Sequence, residues 1–91
     1  MMSEIKRLKI RNDLGLHGRA AARIVELAGK YSSSLYFQKG DHEVDGASIL
    51  SILTLDCPRG TELNARAEGD DAKELLESLG NLFEQKFGED K

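Results

Sequence analysis

Glu62-Leu63-Asn64-Ala65-Arg66-Ala67-Glu68-Gly69-Asp70-Asp71-Ala72-Lys73-Glu74-Leu75-Leu76-Glu77-Ser78-Leu79 changes its apolar period halfway along. In the first half Leu63, Ala65 and Ala67 alternate with Glu62, Asn64, Arg66 and Glu68, the pattern of a strand with one wet face. In the second half the spacing becomes helical, and Ala72, Leu75, Leu76, Leu79, Leu82, Phe83 and Phe87 form one stripe. Gly69-Asp70-Asp71 supplies N-cap oxygens and negative charge at the junction, and Asp71 with Glu74 has capping-box spacing. A half-wet strand running straight into an amphipathic helix implies a sheet with helices over one face.

Reading back from that junction, Pro58-Arg59-Gly60 turns the chain. Ser48 to Leu55 is a short apolar run that fits a buried strand or a brief helix, and a helix capped by Ser48 is the preferred reading. Leu35 and Phe37 alternate with polar neighbours, Lys39-Gly40-Asp41 turns, and His42-Glu43-Val44 returns as the second arm of a hairpin. From Gly18 to Ala28, Ala21, Ile24, Val25 and Ala28 recur at helical spacing, with Gly29 as a C′ stop. Ile5 to Ile10 reads as a first strand, Leu8 and Ile10 on one side and lysines on the other. The order is βαββαβα, an α+β arrangement read as one domain over residues 1–91.

Ninety-one residues leave a thin core and little room for a deep cleft, so function is expected at the surface. The composition, 40% hydrophobic and 32% charged, is that of a soluble globular protein able to fold alone. One cysteine, Cys57, cannot close an intramolecular disulfide, and Met1-Met2-Ser3-Glu4 lacks a signal-peptide h-region, which points to the cytoplasm. A net charge of −3 argues against a nucleic-acid binder, as does the want of an exposed aromatic pair for base stacking.

The chemistry-bearing stretch is Leu14-Gly15-Leu16-His17-Gly18-Arg19-Ala20-Ala21-Ala22-Arg23, in which a histidine stands at the threshold of a helix. The free N–H groups and partial positive charge of a helix start favour phosphate. A neutral imidazole keeps a lone pair that can attack phosphorus, Gly18 lets backbone come close, and the N–H groups of Gly18 and Arg19 with the Arg19 guanidinium suit phosphoryl oxygens. On the spacing alone, His17 as a plain N-cap or a polar loop residue is the preferred reading.

This stretch resembles the phosphorylation site of the HPr family, the histidine-containing phosphocarriers of the bacterial phosphotransferase system, whose pattern is Gly-aliphatic-His-x-Arg-Pro-Ala. Gly15, Leu16, His17, Arg19 and Ala21 match, and Ala20 replaces the usual proline. Val44-Asp45-Gly46-Ala47-Ser48-Ile49-Leu50 looks like the family's second signature, and Gly60-Thr61-Glu62-Leu63 with the following strand and acidic helix start also agrees.

The resemblance implies an open-faced β-sandwich, a four-stranded antiparallel sheet covered on one face by helices. It implies that His17 takes a phosphoryl group on Nδ1 from phospho-enzyme I and gives it to sugar-specific or nitrogen-branch enzyme IIA-type acceptors, Arg19 steadying the group. On this reading the chain is a carrier, not an enzyme, and is expected to be a monomer without cofactor or metal. Ser48 matches a serine that an HPr kinase/phosphorylase modifies in some bacteria, but Ala47 stands where a basic residue is common. The docking patch implied by the family draws on Arg23, Ile49, Leu50 and Leu53, with Arg19 and Lys30 adding to a basic rim. Of these, Ile49 is read with Ile52 as core, and Leu50 and Leu53 as exposed. His42 is expected to be an exposed strand residue and Cys57 a structural one. Two other outputs stay open: a regulatory relative that controls other proteins, and a binding-only adaptor whose histidine never carries phosphate.

Overall fold

The alternation at Leu63, Ala65 and Ala67 does form a strand with those three residues buried. The computed structural model describes residues 2–91. In chain order its elements are β1 (Ser3–Lys9), α1 (Gly18–Ala28), β2 (Ser34–Lys39), β3 (His42–Asp45), α2 (Ile49–Leu53), β4 (Glu62–Glu68) and α3 (Ala72–Glu84), followed by a short 3-10 turn at Lys86–Gly88. The four strands make one antiparallel sheet in the order β1-β4-β2-β3.

Register decides which side chains meet. Leu8 lies opposite Leu63, Phe37 opposite Ala65 and Leu35 opposite Ala67, all on the face beneath the helices. The small Ala65 and Ala67 leave room for Phe37, which packs against Phe83 of α3 with ring centroids 6.3 Å apart, and Phe83 meets Phe87 edge-on at 4.8 Å. Burying each such ring contributes about 1.5–3 kcal/mol. The outer face stays wet: Arg66 lies 4.4 Å from the centre of the Tyr36 ring and pairs with Glu43 and Glu68 at 2.9 and 3.0 Å. This is the open-faced sandwich expected.

Several local expectations need correction. Lysine does not keep to one side of β1, because Lys6 shares the face of Leu8 and lays its stem over Gly80. A Cβ on Gly80 would come within 2.6 Å of Lys6 Cε. A long aliphatic stem can cover apolar surface while its ammonium stays in water, and glycine makes the space. Gly29 ends α1 in right-handed geometry, φ −65°, so it is no left-handed C′ stop. Asp71 is the N-cap of α3 but makes no side-chain capping bond, and no capping box forms with Glu74. Its carboxylate instead accepts the N–H groups of Ser32 and Ser33, each at 2.9 Å, and the Ser33 hydroxyl. The Ser33 hydroxyl bond, with the Ser32 N–H next, holds Asp71 below the usual carboxylate range.

The run after Ser48 is the short helix preferred above, and Ser48 Oγ accepts the Ser51 N–H at 3.3 Å. Ile52 is fully buried, whereas Ile49 is 38% exposed and not core. Three residues of helix turn 300°, so Ile49 stands about 60° off the inward direction of Ile52. Phe87 reaches the core, but not by prolonging α3. The helix ends at Glu84, and Lys86 and Phe87, at φ 55° and 57°, swing the ring inward through the 3-10 turn.

Candidate functional site

Three constraints place His17. Gly15 has φ +72°, and a Cβ there would stand 2.7 Å from the Cys57 carbonyl, so the turn before the histidine closes only with glycine. Leu16, 7% exposed, plugs into the core, and its N–H donates to the same Cys57 carbonyl at 2.8 Å. His17 itself is extended, φ −90°, and caps α1: its Nδ1 accepts the Arg19 N–H at 3.3 Å. Ala20, fully buried on α1, leaves this start intact, so the proline usual at that position is not needed to set the cap.

The other ring nitrogen carries the finding that sequence reading missed. Nε2 lies 2.5 Å from Oε2 of Glu89, while Oε1 of Glu89 accepts the Asn12 Nδ2–H at 2.9 Å. Since Nδ1 accepts a backbone N–H, it bears no proton, and the neutral ring holds its proton on Nε2, donating to the carboxylate. Burial pushes the Glu89 carboxyl up, but the hydrogen bonds from His17 and Asn12 and the nearby Arg19 charge outweigh it and hold the group below the usual carboxylate range. Asn12 is fully buried and also donates to the Gly15 carbonyl at 2.8 Å. Local pattern carries no sign of this cluster: Asn12 reads as a turn residue and Glu89 as part of an acidic tail.

The Arg19 side chain is exposed and, among the described residues, forms no ion pair within 4 Å, although its charge reaches Glu89. Nothing stands within 4 Å of where a Cβ on Gly18 would be, so packing does not demand glycine there. Arg23 and Lys30 are exposed on or just past α1. α2 packs beside α1 and leaves Leu50, Leu53 and Ile49 at 78%, 38% and 38% exposure. Leu14, unremarked in the sequence, is 71% exposed in the loop that leads to His17. Ser48 is half-buried at the head of α2, His42 exposed, and Cys57 buried, its thiol pushed up by burial. Among the described residues no helix is long and apolar enough to cross a membrane, and no group of three or more His, Cys, Asp or Glu is placed to hold a metal ion.

Comparison with known proteins agrees with this architecture. The family model "PTS HPr component phosphorylation site" matches residues 5–85. The chain is 35% identical over 83 residues to the phosphocarrier protein HPr of Xylella fastidiosa strain Temecula1, covering 91% of this chain and 93% of that one. It is 31% identical over 90 residues to the phosphocarrier protein NPr of Proteus mirabilis, covering 98% and 100%. The crystal structure of HPr-C-His from Thermoanaerobacter tengcongensis superposes with a TM-score of 0.91 at 38% identity, over 97% of this chain and 99% of that one. With fold, length and motif in agreement, the chain belongs to the HPr family of phosphocarriers of the phosphotransferase system.

Proposed function

We propose that His17 is the residue that carries the phosphoryl group, taking it on Nδ1 from phospho-enzyme I and passing it to an enzyme IIA-type acceptor of a sugar or nitrogen branch. The observation that carries the reading is the N-cap bond: the lone pair of Nδ1 is parked on the Arg19 N–H at 3.3 Å, a long and weak bond. When Nδ1 forms its bond to phosphorus, that N–H is released beside the new phosphoryl oxygens at the positive end of α1. The exposed Arg19 guanidinium can close on the same oxygens in bidentate fashion. Phosphoryl transfer needs little else from this chain, because its transition state is served by positioning and charge.

The exposed Leu50, Leu53 and Ile49, rimmed by Arg23, Arg19 and Lys30, supply the apolar centre and basic edge suited to acidic partner surfaces. Phosphorylation of Ser48 by a kinase would place about two negative charges at the head of α2, inside that patch, and so oppose docking. The transient phosphohistidine and the cytoplasmic setting belong to the same reading.

Incubation with enzyme I and phosphoenolpyruvate, followed by intact mass and acid treatment, tests it. One acid-labile phosphate on the wild type and none on His17→Ala supports the carrier role. No phosphate, with enzyme I active on another HPr, leaves a binding-only adaptor.

A further inference from the structure

We propose that Glu89 is the positioning residue of the transfer: it keeps the proton on His17 Nε2 throughout, so that the ring attacks as a neutral imidazole and departs as one. The inference rests on the reading that Nδ1 takes the phosphoryl group. In the forward step the Nδ1 lone pair forms the N–P bond while the donor's bond to phosphorus breaks and its electron pair stays on the donor. The ring then bears a positive charge shared with Nε2–H, and the Glu89 carboxylate at 2.5 Å faces it. In the return step the P–Nδ1 bond breaks, its electron pair goes back to Nδ1, and the leaving group is neutral imidazole. Without the Nε2 proton that leaving group would be an imidazolate anion, far harder to expel.

The geometry is held, not incidental. The second oxygen of Glu89 is taken by buried Asn12. Two residues upstream, Phe87 is 1% exposed in the core, and two residues downstream the Lys91 carbonyl accepts the Asp13 N–H at 2.8 Å. The tail is thus pinned on both sides of the carboxylate. The His17 and Glu89 side chains are 28% and 14% exposed, so the pair is only partly screened by water. The other charged group acting on it is Arg19 on α1, with Arg23 a turn further on near Gly88. The logic is that of a carboxylate behind a catalytic histidine, which orients the ring and stabilises its charged form without taking the proton.

The test compares wild type, Glu89→Gln, which keeps shape and an acceptor but no charge, and Asp90→Asn as a neighbouring control. Each protein is charged with enzyme I and phosphoenolpyruvate, repurified, and followed for loss of phosphate to water across pH. Ring-nitrogen NMR of the uncharged proteins reads the Nε2–H directly. Wild type and Asp90→Asn should give one pH profile and a visible, exchange-protected Nε2–H at pH 7. In Glu89→Gln the profile should move to lower pH by about one unit, loss at pH 7 should slow about tenfold, and the Nε2–H signal should weaken or vanish. A Glu89→Gln profile and ring spectrum that superpose on wild type would overturn the inference while leaving the carrier reading in place. A wild type that takes no phosphate at all would overturn both.

Discussion

Asn12 and Glu89, 77 residues apart in sequence, share a 2.9 Å hydrogen bond directly beneath the imidazole of His17. The bond ties the turn after β1 to the C-terminal tail, and it stands on a fully buried side chain that also holds the Gly15 carbonyl. Replacing Asn12 by Ala would strip Oε1 of Glu89 of its donor and leave the Gly15 carbonyl with the His17 N–H alone, at 3.0 Å. Loss of about 1–3 kcal/mol is expected, read as a lower urea midpoint with unchanged slope, because two hydrogen bonds made by a buried amide are lost, one of them to a carboxylate.

The two glycines flanking Leu16-His17 should respond in opposite directions. Gly15→Ala forces a Cβ into left-handed backbone and against the Cys57 carbonyl at 2.7 Å, costing about 2 kcal/mol or more. Gly18→Ala meets nothing within 4 Å at the first position of α1 and should be neutral or stabilising by up to about 1 kcal/mol. Thermal unfolding of the two variants checks the contrast.

Leu50 and Ile52 lie two residues apart on α2 yet should separate docking from stability. Leu50→Ser, at 78% exposure, should leave the melting temperature within a degree or two and slow charging by enzyme I. Ile52→Ala, fully buried, should cost about 2–5 kcal/mol. A Leu50→Ser protein charged as fast as wild type would remove α2 from the docking face.

Acid stability follows from the two depressed carboxylates, Asp71 and Glu89. Each has a folded pKa below its unfolded one, so each contributes stability in full above the unfolded values of 3.8 and 4.5 and loses it as pH falls through the folded values. Urea midpoints should therefore hold level from pH 7 to about pH 5 and fall below pH 4. Asp71→Asn should flatten that acid limb, since the amide cannot lose a charge.

Fold and site were unequally legible. The change of period at Gly69, the Leu35–Val44 hairpin and the α1 stripe are local patterns, and each formed the expected element. Gly15, Leu16 and His17 were readable as a motif, and geometry supplies their reasons. Glu89 was not readable. Its role depends on Phe87 turning inward at φ 57° and on a contact across 72 residues, neither of which leaves a periodic trace. Ile49 failed for a related reason, since a five-residue helix is too short for its pattern to say which of two apolar residues faces in. Asp71 misled because a side chain at a helix start can serve a different backbone, here that of Ser32 and Ser33.

The central claim, that the phosphoryl group lands on Nδ1 of His17, is tested most directly by NMR of protein carrying nitrogen-15 in its histidines after charging with enzyme I and phosphoenolpyruvate. A phosphorus coupling on Nδ1 of His17, with Nε2 still bearing its proton, is the predicted result. Phosphorus on Nε2, on His42, or on no histidine would contradict it.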